Sequence, residues 1–134
     1  MFNVFPELFT YHNLAPFILR IVLGLVIMNL GYLKCTYEKE RWVASFNALH
    51  MNTAARWVPL IGILEMLGGM MFITGMYTQA VALTFSIILL FELTLESIAE
   101  TILVRNFIFY LLLFAIAFSL LFTGAGDFAL DLPL

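Results

Sequence analysis

Charge is the scarcest property of this chain. Of its 134 residues only 6 are Lys or Arg and 9 are Asp or Glu, or 11% in all, against roughly 25% in soluble globular domains. A soluble surface cannot be built from so little polar material. The basic residues are also scattered and the net charge is −3, which excludes the electrostatic footprint of a nucleic-acid binder. With a single cysteine, Cys35, an internal disulfide, a CxxC redox pair and a cysteine-rich metal site are all excluded. That cysteine stands beside Lys34 at the end of an apolar run, where acylation, an intermolecular disulfide and ordinary packing are all open to it. Nucleotide, flavin and iron–sulfur motifs are missing, and so is any nucleophile–base constellation. No firm catalytic residue emerges, and the chain is not expected to perform covalent chemistry alone. It also lacks low-complexity tracts and soluble linkers.

What is abundant is apolar surface. Hydrophobic residues make up 63% of the chain, with 14 Phe, 7 Met and a mean hydropathy of +1.04. Four apolar stretches stand out, at about Leu14–Leu33, Val58–Met76, Thr78–Leu95 and Asn106–Thr123. Each approaches the ~20 residues that cross ~30 Å of hydrocarbon at about 1.5 Å per residue. In lipid every backbone N–H and C=O must be satisfied within the segment, so such spans are helices. The expected fold is therefore all-α, a four-transmembrane-helix bundle forming one integral membrane domain over residues 1–134. Before it, Met1–Asn13 carries Phe2, Phe5, Phe9 and Tyr11, which suit an interfacial anchor. Residues 1–13 also hold Glu7 and no Lys or Arg, and no small-x-small site follows the apolar run, unlike a cleaved signal peptide. Between the first two spans, Thr36–Ala55 reads as an amphipathic helix. Trp42, Phe46, Leu49 and Thr53 lie at helical spacing, and Glu38–Arg41 supply a charged start. Such a helix either lies in the membrane interface or packs on the bundle. Pro59 suits the first turn of the second span, and the short turn at Gly75–Gln79 makes spans two and three antiparallel neighbours.

Five basic residues set the orientation. Lys34, Lys39, Arg41 and Arg56 fall between spans one and two and Arg105 between three and four, while the opposite loops have none. The positive-inside rule then puts both termini outside the cytoplasm, with a bacterial inner membrane as the expected location.

Two charges lie within the apolar runs themselves, Arg20 and Glu65. Ionisable groups at bilayer depth are costly and normally paired or functional. Arg20, Gly24, Met28 and Gly31 share one helical face, and Gly62, Glu65, Gly69 and Phe72 share another. Gly24, Gly31, Gly62, Gly68 and Gly69 mark close helix packing. Counted from one membrane surface, Arg20 lies roughly 9 Å deep and Glu65 roughly 15 Å, which predicts a buried Arg20–Glu65 pair. Alternatively Arg20 turns outward to the tail carboxylates Asp127 and Asp131, or all four form one network. The alternative role of such a pair is to fix helix register without serving a function. Glu92, Glu96 and Glu100 form a further stripe at i, i+4 and i+8. Solvation, or pairing with Lys34, Arg56 or Arg105, is its default role. Metal binding by Glu92, Glu96 and His50 is the lesser expectation, since di-iron bundles add Glu-x-x-His motifs that are missing here.

With these residues identified, the chain resembles the DoxX family of small four-helix membrane proteins over essentially its full length. The resemblance rests on Arg20-Ile-Val-Leu-Gly24, Gly31-Tyr-Leu-Lys34, Pro59, Glu65-Met-Leu-Gly68-Gly69, Gly75 and Thr78. The ending Gly124-Ala-Gly126-Asp-Phe-Ala-Leu130-Asp131 looks like the family's G-x-G-x-x-S-L-D. Ala129 stands where Ser is usual and Ala125 where Pro is common. The His-containing segment that many relatives carry after helix three is replaced by the acidic stripe. The resemblance implies a membrane subunit of an oxidoreductase system, like the large subunit of thiosulfate:quinone oxidoreductase. It also implies further membrane or redox subunits as partners. A quinone would then be the diffusible electron carrier, with Arg20 or Glu65 hydrogen-bonding its carbonyl and Glu65 with Asp131 passing protons outward. The alternatives are a non-catalytic assembly or anchoring subunit and, less well supported, a small transporter. No broken-helix pair or inverted repeat points to transport.

Overall fold

The computed structural model describes residues 11–50, 53–98 and 106–130. The described residues form five helices: α1 (Leu14–Cys35), α2 (Lys39–Ala48), α3 (Ala54–Thr74), α4 (Thr78–Ile98) and α5 (Phe107–Thr123). With 22, 21 and 21 residues, α1, α3 and α4 are each long and apolar enough to cross a membrane. At 17 residues, α5 is shorter but more apolar still, and roughly 25 Å long. Their outer faces carry an apolar surface that water could not tolerate. Ile18 and Leu25 on α1, Ile63 and Leu67 on α3, Ile87 on α4 and Leu112 on α5 are all exposed.

Two antiparallel pairs, α1 with α3 and α4 with α5, build the bundle. Gly24 and Gly69 face each other, and a β-carbon on either would fall 2.6–2.7 Å from the other's carbonyl oxygen. Gly31 and Gly62 repeat the arrangement seven residues along each helix, with the backbone of Gly62 against Gly31. Two such contacts spaced by seven residues, or about 10 Å of axis, keep α1 and α3 at backbone distance for two full turns. No larger residue fits without pushing the helices apart. Gly68 points differently, receiving the Phe85 ring of α4, which also stacks edge-on against Phe72 at 5.7 Å.

The α3–α4 turn is made by Gly75. Its left-handed backbone (φ 71°, ψ 37°) lets its N–H reach the Phe72 carbonyl while the Met76 N–H reaches Met71, closing a Schellman motif. Tyr77 also has positive φ, and α4 starts one residue later.

Two sequence expectations are corrected. The helix beginning with the second apolar run starts at Ala54 rather than Val58, because Ala54–Trp57 join it although they add little apolar character. Pro59 therefore lies in the second turn, inside the helix. There its carbonyl accepts a hydrogen bond from the Cys35 thiol at 3.7 Å. The amphipathic segment is shorter than Thr36–Ala55. The helix ends at Ala48, and His50 takes a positive φ of 60° before α3 begins.

Candidate functional site

Charged side chains collect at the end of the bundle covered by α2. Lys34 sits in the last turn of α1, where a cation complements the partial negative charge of the helix C-terminus. Its Nζ donates to the carboxylates of both Glu65 on α3 and Glu92 on α4. All three residues are about 1–2% exposed. Above the ammonium lies the Trp42 ring of α2, with its centroid 4.2 Å from Nζ. Two carboxylates and an aromatic face thus engage the three N–H groups of Lys34.

Trp42 is held in place by its own neighbours. It meets Tyr110 of α5 edge-on at 6.3 Å, and Phe46, one turn further along α2, meets Phe91 of α4 at 5.7 Å. Trp42, Ser45 and Phe46 are the buried face of α2, whereas Lys39, Glu40, Arg41 and Asn47 are exposed. The apolar face of α2 is therefore turned into the bundle and closes it. Three polar atoms in this region are buried with no hydrogen-bond partner among the described residues: Glu65 Oε2, Glu92 Oε2 and Trp42 Nε1. Each is a group that normally finds a partner when buried.

Beside them opens a cavity of about 300 Å³. Lys34, Trp42 and Glu92 line it together with Phe46, Val58, Ile61, Ile87, Ile88 and Phe91, and the surface they present to it is almost wholly apolar. The size falls at the lower edge of small-molecule sites, which are mostly apolar with a few convergent polar groups. A second apolar hollow of about 370 Å³ continues the α3–α4 seam towards Tyr77, between Leu64, Leu67 and Met71 of α3 and Ala80, Thr84 and Phe85 of α4.

Arg20 belongs to the opposite end. It is fully buried, and its Nη1 and Nη2 donate to the carbonyls of Ala125 at 2.7 Å and Phe128 at 3.1 Å. The guanidinium lies 5.4 Å from the Phe17 ring centroid and against Gly75, where a β-carbon would fall 2.5 Å from Nη1. Residues 124–130 lie across this end. The Asp127 N–H donates to Asn13 and the Leu130 N–H to Thr74, both at 3.3 Å, and Phe128 packs on Phe17 at 5.5 Å.

The predicted Arg20–Glu65 pair is thereby corrected. Glu65 lies beside Gly31, whereas Arg20 lies beside Gly75, ten residues or about 15 Å further along α3. Depths counted from a common surface assumed flush helix ends. In fact α1 extends past the end of α3, and residues 124–130 fill the step. Arg20 thus turns to the tail, through backbone carbonyls. Asp127 is partly buried there, and Asp131 lies outside the described residues. In the acidic stripe Glu92 and Glu96 are buried rather than solvated, Glu92 with Lys34 as partner, and Glu100 is outside the described residues. His50 is exposed at the end of α2. Among the described residues no group of three His, Cys, Asp or Glu is placed to hold a metal ion.

The sequence names Lys34 only as one of three possible partners of the acidic stripe, and carries no sign that Trp42 covers it. The signal that would single it out is the glycine stripe at 24 and 31, which continues to Lys34 at the next helical step.

A family model described as DoxX matches residues 15–95, from the first turn of α1 to near the end of α4. No match was found among curated proteins or among solved structures. The match covers well over half of the chain and takes in Arg20, Lys34, Trp42, Glu65 and Glu92, and the chain belongs to the DoxX family.

Proposed function

We propose that the chain is a membrane subunit of a quinone-linked oxidoreductase system, with the cavity beside Lys34, Trp42 and Glu92 receiving the quinone head group. The observation that carries this is the cavity itself, almost wholly apolar and lined by Lys34, Trp42 and Glu92 of the buried charged cluster. An isoprenoid tail would follow the α3–α4 seam into the second hollow. When bound, the quinone would supply two-electron, two-proton chemistry. The protein's part is to position the ring and to offer Glu92, with Glu65 behind Lys34, as proton-holding groups.

In this assignment α5 is the fourth crossing. Lys39, Arg41 and Arg56 are exposed around α2, which supports a cytoplasmic α2 at the membrane surface and extracytoplasmic termini in a bacterial inner membrane. Electron donors and acceptors other than the quinone would come from partner subunits.

The native complex, purified in mild detergent, should carry quinone in its lipid extract. Ile88→Trp, which fills the cavity without touching the charged groups, should remove it. Partner subunits in stoichiometric amounts without any quinone would instead assign this chain to assembly or anchoring.

A further inference from the structure

We infer that Glu65 and Glu92 hold one proton between them, so that with Lys34 they form a neutral proton-binding site inside the bundle. The site stands on the charged cluster alone, whether or not a quinone is the ligand of the neighbouring cavity. Lys34 Nζ donates to a carboxyl oxygen of each glutamate. Held against one nitrogen, the two carboxyl groups are also within hydrogen-bonding reach of each other. All three residues are about 1–2% exposed. With both carboxyls ionised, the cluster sets two negative charges against one positive charge, away from water. A buried charge without a partner is costly enough that the group neutralises instead, and two carboxyls that share one site resist ionising together.

Among the described residues the surrounding elements supply no second cation. From α1 comes Cys35, whose thiol is engaged by the Pro59 carbonyl. From α2 come Trp42, Ser45 and Phe46, while Lys39 and Arg41 are exposed, as is Arg56 of α3. Tyr110 of α5 lies behind Trp42. The next titratable group on α4 is Glu96, one turn on and buried, which is a further carboxyl. Lys34 itself keeps its charge, because it sits at the C-terminus of α1 and under the Trp42 ring, 4.2 Å from its centroid. The added proton therefore belongs to the carboxyl pair. It also explains two orphaned atoms. Glu65 Oε2 and Glu92 Oε2 are buried acceptors with no hydrogen-bond partner among the described residues, and a proton on either carboxyl turns one of them into a donor beside an acceptor. Carboxyls at such depth are the groups from which intramembrane proton relays are built.

Infrared spectroscopy of the full chain, purified in an ester-free detergent, reads this state directly. A protonated carboxyl has a carbonyl stretch that a carboxylate lacks. The native protein is expected to show that band at neutral pH, where a glutamate of ordinary pKa, about 4.3, is ionised. Exchange into deuterium oxide should shift it. Glu65→Gln and Glu92→Gln each leave one carboxylate for one ammonium, so each should lose the same band when subtracted from the native spectrum. Glu96 is present in all three proteins, and its own state cancels in the subtraction. Absence of the band from the native protein means that both carboxyls are ionised and overturns the inference. A native spectrum indistinguishable in this region from that of either variant overturns it too. Neither result touches the quinone-linked assignment, which the lipid extract tests separately.

Discussion

At Lys34 one ammonium is shared by two carboxylates in a place where water cannot help either of them. Removing one partner from a buried ion pair typically costs about 3–5 kcal/mol, because a charge is left uncompensated. Lys34→Met strands two carboxylates and should fall in that range, measured by denaturant unfolding in detergent. Adding Glu92→Gln should recover part of the loss, so that the double variant is more stable than the sum of the single effects implies. Strict additivity would show that the two side chains do not interact. At this scale the sequence was only partly legible. Glu65 was conspicuous because it interrupts an apolar run. Lys34 was not, because a lysine at a helix end has water nearby as an alternative, and only the position of α2 denies it that option. The partners of Glu65 depended on how far α1 overhangs α3, a quantity that no local pattern encodes.

The helices themselves were easier to read. Long apolar runs located the cores of α1, α3, α4 and α5, and the Gly75 turn follows from a residue that accepts positive φ without strain. What the pattern could not decide was where α2 lies. An apolar face formed by Trp42 and Phe46 suits a bilayer surface and the open end of a bundle equally well. The tail was similarly ambiguous, since Arg20 reads residues 124–130 through backbone carbonyls and carbonyls leave no trace in a sequence. Arg20→Met should release this segment. Amide exchange at Asp127 and Leu130 should quicken in hydrogen–deuterium exchange, while the Trp42 end of the molecule keeps its protection. Unchanged exchange at both amides would mean that the tail is held without Arg20.

The molecule as a whole has a polar anchor at each end of an apolar bundle. The Lys34 cluster lies under α2 and Arg20 lies under the tail. If α5 completes a fourth crossing, these ends face opposite sides of the membrane. Single cysteines introduced as Asn47→Cys and Thr123→Cys, each in a Cys35→Ser background, should then react with a membrane-impermeant maleimide from opposite faces. The first should react from the cytoplasm and the second from outside. Labelling of both from one side would overturn the orientation. The two ends are also rival locations for a ligand, since the sequence pointed to Arg20 and the cavity lies beside Lys34. The most direct test is therefore photolabelling of the native complex with an azido-quinone, followed by peptide mapping. Cross-links are expected on α2 and α4, around Trp42–Phe46 and Ile87–Glu92, and should be suppressed by excess unlabelled quinone. Competable cross-links confined to Phe17, Gly75 and residues 124–130 would place the site at Arg20 and contradict the assignment.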